Sequence, residues 1–300
     1  MKRSAILSAS ALALLLLSCS ASAGQVPPLP SFLTDPGRET GRECVMFIFG
    51  HFDDDSVIAG TINMYLRAGW EAHEVWVTSA GMGEGSMWGS VTERYAEMER
   101  VADIQGLPPE GRHVLNVPDR RAVEHLPEIV DSVTELVKKH RPSVIVTAAY
   151  EGGHWDHDAS CLAGWVASQR VDFPVARFEV PTYNASGPRL MPFRMNGFIK
   201  SYGPWEHVKL DREAWAMRKK VRYGYQSQWF LMWPEGILGT WRHLRGQGEP
   251  IRRTPDYDFL SPPHPGTLMV QNKTVGALPG RPFSDWQDGV RQIPEFQSQQ

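Results

Sequence analysis

The chain has 300 residues, 42% of them hydrophobic, which is enough to bury a core in one large α/β domain. A formal charge of -3 gives no basic excess, so no nucleic-acid partner is expected. No run of like charges suggests a disordered tail, and three cysteines are too few for a disulfide scaffold.

Residues 1–24 read as an export signal and lie outside the fold. Lys2 and Arg3 precede the apolar run Ala5 to Leu17, and Ala21-Ser22-Ala23 forms a small-residue cleavage pattern before Gly24. The run is shorter than the ~20 residues of a spanning helix, so no transmembrane segment is expected and the product is periplasmic or extracellular. Leu16-Leu17-Ser18-Cys19 loosely resembles a bacterial lipobox, despite the unusual Leu17. It leaves open an alternative in which the signal ends before a lipid-anchored Cys19. Of the remaining cysteines, Cys44 and Cys161 read as two separate buried thiols.

A Pro-rich lead-in over residues 25–42 is followed by alternating strands and helices. Cys44 to Gly50 is an apolar run of strand length, and Ser56 to Arg67 has helical spacing. Glu74 to Thr78 reads as the second strand and ends in the glycine-rich stretch Gly81 to Gly85, which lacks the Lys-Ser/Thr ending of a phosphate loop and is taken as a lip of the pocket. Ser90-Val91-Thr92-Glu93 opens a helix that Gly106 stops. His113 to Val117 is the third strand, Val123 to His140 an amphipathic helix, and Val144 to Ala149 a fourth strand buried on both faces. Val175 to Val180 and Phe198 to Tyr202 read as strands, and Asp211 to Tyr225 as a helix. Beyond Trp229, Pro, Gly and Trp are frequent and periodicity is poor, so residues 229–300 are expected to wrap irregularly over a domain spanning 43–228. The pattern predicts a Rossmann-like layered α/β/α fold with a mostly parallel sheet and ligands beyond the carboxyl ends of its strands.

Two segments at such ends carry chemistry. His51-Phe52-Asp53-Asp54-Asp55 follows the first strand and offers the borderline nitrogen and hard oxygen donors that suit zinc. Taken alone, it reads more readily as a helix start with an acidic cap. Glu151-Gly152-Gly153-His154-Trp155-Asp156-His157-Asp158 follows the fourth strand and brings further imidazoles and carboxylates to the same edge. Two clusters converging on one edge favour a metal site over two coincidental caps. No Gly-x-Gly-x-x-Gly turn follows the first strand, which excludes a dinucleotide-binding oxidoreductase.

These segments resemble the LmbE-like, or PIG-L, family of zinc-dependent deacetylases of N-acetylglucosamine-type sugars, with signatures His-Pro-Asp-Asp-Glu and His-Pro-Asp-His. The resemblance covers Cys44 to Gln169, with a weaker echo at Tyr225-Gln226-Ser227-Gln228. It implies His51, Asp54 and His157 as ligands of one zinc ion per chain, replaceable by another divalent metal such as Fe2+. It implies Asp53 as general base toward the attacking water. His154, oriented by Asp156, would stabilise the oxyanion or protonate the leaving amine, and Arg94 and Asp119 would contact an amino-sugar or glycan substrate. Arg94 reads otherwise as a solvated helix charge and Asp119 as a turn residue. The family's prolines are Phe52 and Trp155 here and its glutamate is Asp55, so rings facing the cleft would reshape the pocket. Trp88, Trp155, Trp229 and Trp233 are the candidate sugar platforms, although aromatic residues more often serve cores. His73, His113, His125, His140, His207, His243 and His264 read as surface or packing residues. The rival functions are a zinc amidase acting on a sugar conjugate and a non-catalytic exported carbohydrate-binding protein on the same scaffold.

Overall fold

The computed structural model describes residues 29–79, 89–186, 194–271 and 280–299. The segment expected to be an export signal (with Cys19), the Gly81 to Gly85 stretch and Trp88 lie outside them.

After helix α1 (Ser31–Thr40), the chain alternates β1 (Cys44–Phe49), α2 (Ala59–Arg67), β2 (Glu71–Thr78), α3 (Val91–Gln105), β3 (Arg112–Val117), α4 (Leu126–His140), β4 (Val144–Ala148), α5 (Trp155–Gln169) and β5 (Ala176–Val180). Every residue of β1 and β4 is buried, as expected for central parallel strands covered on both sides. Helices α2 and α3 cover one face of the sheet, packing on Phe47, Trp76 and Val146. Helices α4 and α5 cover the other, packing on Ile48, Val75 and Ile145. Ser90 caps α3 by accepting a hydrogen bond from the Glu93 amide at 3.2 Å, and Gly106 ends that helix in the left-handed conformation, as the sequence predicts.

The remaining elements are β6 (Tyr183–Asn184), β7 (Arg194–Met195), β8 (Glu206–Val208), α6 (Arg212–Gly224), α7 (Trp229–Leu244), β9 (Glu249–Arg253) and α8 (Phe283–Val290). The main sheet runs β3-β2-β1-β4-β5-β9-β8, with its first five strands parallel and β9 antiparallel to both neighbours. The strand order reverses between β1 and β4, so the crevice for a ligand opens beyond their carboxyl ends, where both His/Asp segments emerge. Among the described residues, no helix is long and apolar enough to cross a membrane. Cys44 and Cys161 are both buried and unbridged.

Two expectations need correction. Phe198 to Tyr202 forms no strand; it turns into a short 3-10 helix over Lys200–Tyr202, and the edge pairing falls to β8 instead. The region after Trp229 is also more regular than its composition suggests. Helix α7 runs through Pro234 and two glycines, held by the buried Glu235 carboxylate, which accepts from Arg222 and from Asn196, each at 2.9 Å. Strand β9 joins the main sheet, and its buried Glu249 accepts from the amides of Gly60 and Thr61 at 3.0 and 2.7 Å, closing the start of α2. Local propensity argues against both elements, and tertiary contacts supply what it lacks.

Candidate active site

Gly50 ends β1 at the point where the first turn of α5 crosses it. A Cβ there would stand 2.8 Å from His157 Cδ2 and 2.9 Å from the Asp156 backbone carbon, so only glycine admits this approach. His51 follows in an extended conformation and starts a 3-10 helix over Phe52–Val57, with its amide donating to Asp54 Oδ2 at 2.8 Å. Across the crevice, Gly153 lies under the Tyr183 carbonyl, where a Cβ would come within 1.8 Å of the oxygen. His154 then caps α5, and His157 occupies its first turn.

These turns bring together one ring nitrogen each from His51 and His157 and both carboxylate oxygens of Asp54. His51 Nδ1 lies 3.1 Å from His157 Nε2, His157 Nε2 lies 3.1 Å from Asp54 Oδ1, and His51 Nδ1 lies 3.5 Å from Asp54 Oδ2. Donors at zinc distances of ~2.0–2.1 Å in a tetrahedron stand about 3.3–3.4 Å apart, so this spacing fits one small divalent ion. The far nitrogen of each ring is held as well. His51 Nε2 meets Asp119 Oδ1 and Asp156 Oδ2, both at 3.1 Å, and His157 Nδ1 meets the Thr182 hydroxyl at 3.0 Å. Such partners fix the tautomer that presents the other nitrogen to a metal.

Three carboxylates thus converge on two imidazoles in a buried pocket, an excess of negative charge that suits a cation. Burial disfavours charge on His51, yet its bonds to Asp119, Asp156 and Asp54 outweigh this and hold its pKa well above the usual imidazole value. Burial would likewise raise Asp54, but His157 and His51 hold it well below the usual carboxylate range. His154, buried beside both other rings, has its pKa lowered to about 4, first by burial. Its Nδ1 accepts from the Asp156 amide at 3.2 Å, so Nε2 carries the proton in the neutral ring.

A second layer surrounds Asp53. The Arg94 guanidinium of α3 hydrogen-bonds Asp53 Oδ1 and sits 3.6 Å from Glu97, which accepts from the Ser227 amide at 2.7 Å and its hydroxyl at 2.6 Å. Asp55 points away from the crevice into the core, where it accepts from Gln105 at 2.7 Å and the Tyr225 hydroxyl at 2.9 Å. The Tyr225 to Gln228 echo therefore supports the first loop from behind.

All eight residues expected at the site gather at this edge, with several roles shifted. Arg94, expected to touch substrate, is only 2% exposed and is committed to Asp53. Asp119, also expected to contact substrate, is a partner of His51. Asp156, expected to orient His154, lies 3.8 Å from that ring and closer, at 3.1 Å, to His51. The rings replacing the family prolines avoid the cleft: Phe52 packs edge-on against Trp76 and Tyr95, and Trp155 stacks on Trp286 at 5.3 Å. Trp155 is therefore a core residue and no sugar platform, whereas Trp229 and Trp233 are exposed. Sequence reasoning missed Thr182 and Tyr183, which packs edge-on against His157. Both follow β5 at the same sheet edge, and that position is the one signal that could have found them.

Residues 46–168 match the family model described as PIG-L, GlcNAc-PI de-N-acetylase. No curated protein matches the chain. Solved structures share its fold. One is a deacetylase in the biosynthesis pathway of teicoplanin, 16% identical with a TM-score of 0.56, covering 71% of this chain and 100% of its own. A second is the zinc-inhibited form of teicoplanin deacetylase, 16% identical with a TM-score of 0.53, covering 71% and 100%. A third is the N,N'-diacetylchitobiose deacetylase from Pyrococcus horikoshii, 18% identical with a TM-score of 0.54, covering 74% of this chain and 87% of its own.

Proposed function

We propose that this chain, whose residues 46–168 match the PIG-L family model, is an exported, zinc-dependent hydrolase of the PIG-L (LmbE-like) type that deacetylates an amino-sugar glycoconjugate. The observation that carries the proposal is the donor cluster of His51, Asp54 and His157, with nitrogen–nitrogen and nitrogen–oxygen separations of 3.1, 3.1 and 3.5 Å.

A zinc ion held by those donors would supply Lewis-acid polarisation of the amide carbonyl and a more acidic water. The chain's own residues do the rest. Asp119 and Asp156 keep the His51 Nε2 proton, so that Nδ1 faces inward. Asp53 takes the proton of the attacking water, and Arg94 orients its carboxylate. His154 presents its Nε2–H to the developing oxyanion, a role suited to a neutral donor already fixed at Nδ1. Trp229, 66% exposed and next to the Gln226–Gln228 turn whose Ser227 hydroxyl accepts from Arg94, is our candidate for stacking on a sugar ring. Two of the structural relatives are described as deacetylases of a teicoplanin pathway and of diacetylchitobiose, which supports an N-acyl amino sugar as the substrate class. The Lys2 to Ala23 pattern supports export, with cleavage before Gly24 or lipidation of Cys19.

The test is release of free amine from a panel of N-acetylated mono- and oligosaccharides by zinc-loaded protein beginning at Gly24. We expect turnover that a chelator abolishes and zinc restores. Zinc-loaded protein that binds the saccharides without turnover would favour the carbohydrate-binding rival. Turnover only of other amides on a sugar would favour the amidase.

A further inference from the structure

Three histidines that the reaction does not use meet at the opposite edge of the sheet, where its strands begin. His73 is the third residue of β2, His113 the second of β3, and His140 the last of α4. Because His113 pairs with Val75, His73 and His113 project from the same face of the sheet, the one α4 covers. His73 Nδ1 lies 3.1 Å from His113 Nε2, close to the edge of a zinc tetrahedron. His73 Nε2 lies 2.9 Å from Glu71 Oε1, a carboxylate–imidazole contact that turns Nδ1 toward the cluster. His140 Nε2 is buried and has no hydrogen-bond partner. One ring nitrogen from each of the three lies within 4.8 Å of the others.

We propose that His73, His113 and His140 form a second metal site, independent of the catalytic centre, that binds zinc or a similar borderline divalent cation. Three imidazoles and no first-rank carboxylate favour zinc, cobalt or nickel over calcium or magnesium. Ring centroids 5.3 Å apart for His73–His113 and 5.2 Å for His113–His140 match rings converging on one ion. The 3.9 Å His73–His140 separation is closer than that, so His140 turns outward on binding. Two cations stand nearby. Arg42 is paired with Glu71 at 2.5 Å, and Lys139 lines the surface groove that opens on His113. An ion here ties β2, β3 and the end of α4 together, so its role is to stabilise the fold.

The test counts metal in the full exported chain. Protein stripped with a chelator and equilibrated with zinc is compared with His113→Gln and His140→Gln by elemental analysis. Each variant is expected to hold one zinc fewer per chain than the parent, with amide hydrolysis unchanged. Because the readout is a difference, it stands whether or not the catalytic donors hold an ion. Equal zinc in parent and variants overturns the proposal. Should the variants fold poorly, zinc-soaked crystals of the parent decide: an anomalous peak between the three rings supports the site, and its absence at full soak refutes it.

Discussion

The sharpest consequence of the site's construction is that Gly50→Ala should weaken metal binding although residue 50 ligates nothing. An added Cβ would lie 2.8 Å from His157 Cδ2, 2.9 Å from the Asp156 carbonyl carbon and 3.0 Å from its oxygen. Ordinary contact requires the first turn of α5 to retreat by roughly half an ångström, because two of those three atoms are backbone and cannot rotate away. That turn carries His157, and sound metal sites keep their distances within about 0.2 Å. The 3.1 Å edges from His157 to His51 and Asp54 would lengthen together. Overpacking should cost about 2 kcal/mol of stability, and zinc affinity should fall about 10–100-fold. Urea unfolding of apo protein gives the first quantity, and competition against a chromophoric chelator gives the second. A Gly50→Ala protein that is as stable as the parent and binds zinc as tightly would refute the reasoning.

Other outcomes follow from single contacts. Asp156→Asn removes the charge that shares His51 Nε2 with Asp119, and zinc affinity measured by the same competition should drop about tenfold or more. Glu74 is fully buried with both carboxylate oxygens unpartnered, and burial raises its pKa from 4.5 to about 8. Since the folded state keeps a proton that the unfolded chain releases, stability should fall as pH rises from about 5 to 8, and Glu74→Gln should flatten that slope in urea melts. Trp229→Ala should leave stability within about 0.5 kcal/mol, as befits an exposed side chain, while raising KM for oligosaccharides more than it lowers kcat.

Much of the fold was legible because both central strands are continuous apolar runs flanked by helical periodicity, and Ser90 and Gly106 mark the ends of α3 as capping physics requires. The donor set was legible for a related reason. His51 and Asp54 share one tight turn and His157 a first helical turn, so short local segments at known strand ends carry all three proposed ligands. What escaped was set by long-range contact. Arg94 and Asp119 were expected to contact substrate, but α3 and the β3 turn deliver them to Asp53 and His51 instead. Phe52 and Trp155 gave no sign in sequence of which side they would face, because that depends on Trp76, Tyr95 and Trp286. Helix α7 and strand β9 oppose local propensity and exist through Glu235 and Glu249, whose partners are far away in the chain. The histidine cluster was invisible because its members come from three elements that meet only when the sheet and α4 assemble.

In the proposed mechanism, one ion held by His51, Asp54 and His157 and one base, Asp53, together cleave an amide. That mechanism is tested most directly by measuring bound zinc and kcat/KM side by side in the parent, His157→Ala and Asp53→Asn. His157→Ala is expected to lose one zinc per chain along with its activity, and Asp53→Asn to keep its zinc while kcat/KM falls about a hundredfold or more. An Asp53→Asn protein as active as the parent, or a His157→Ala protein that retains both metal and turnover, would contradict it.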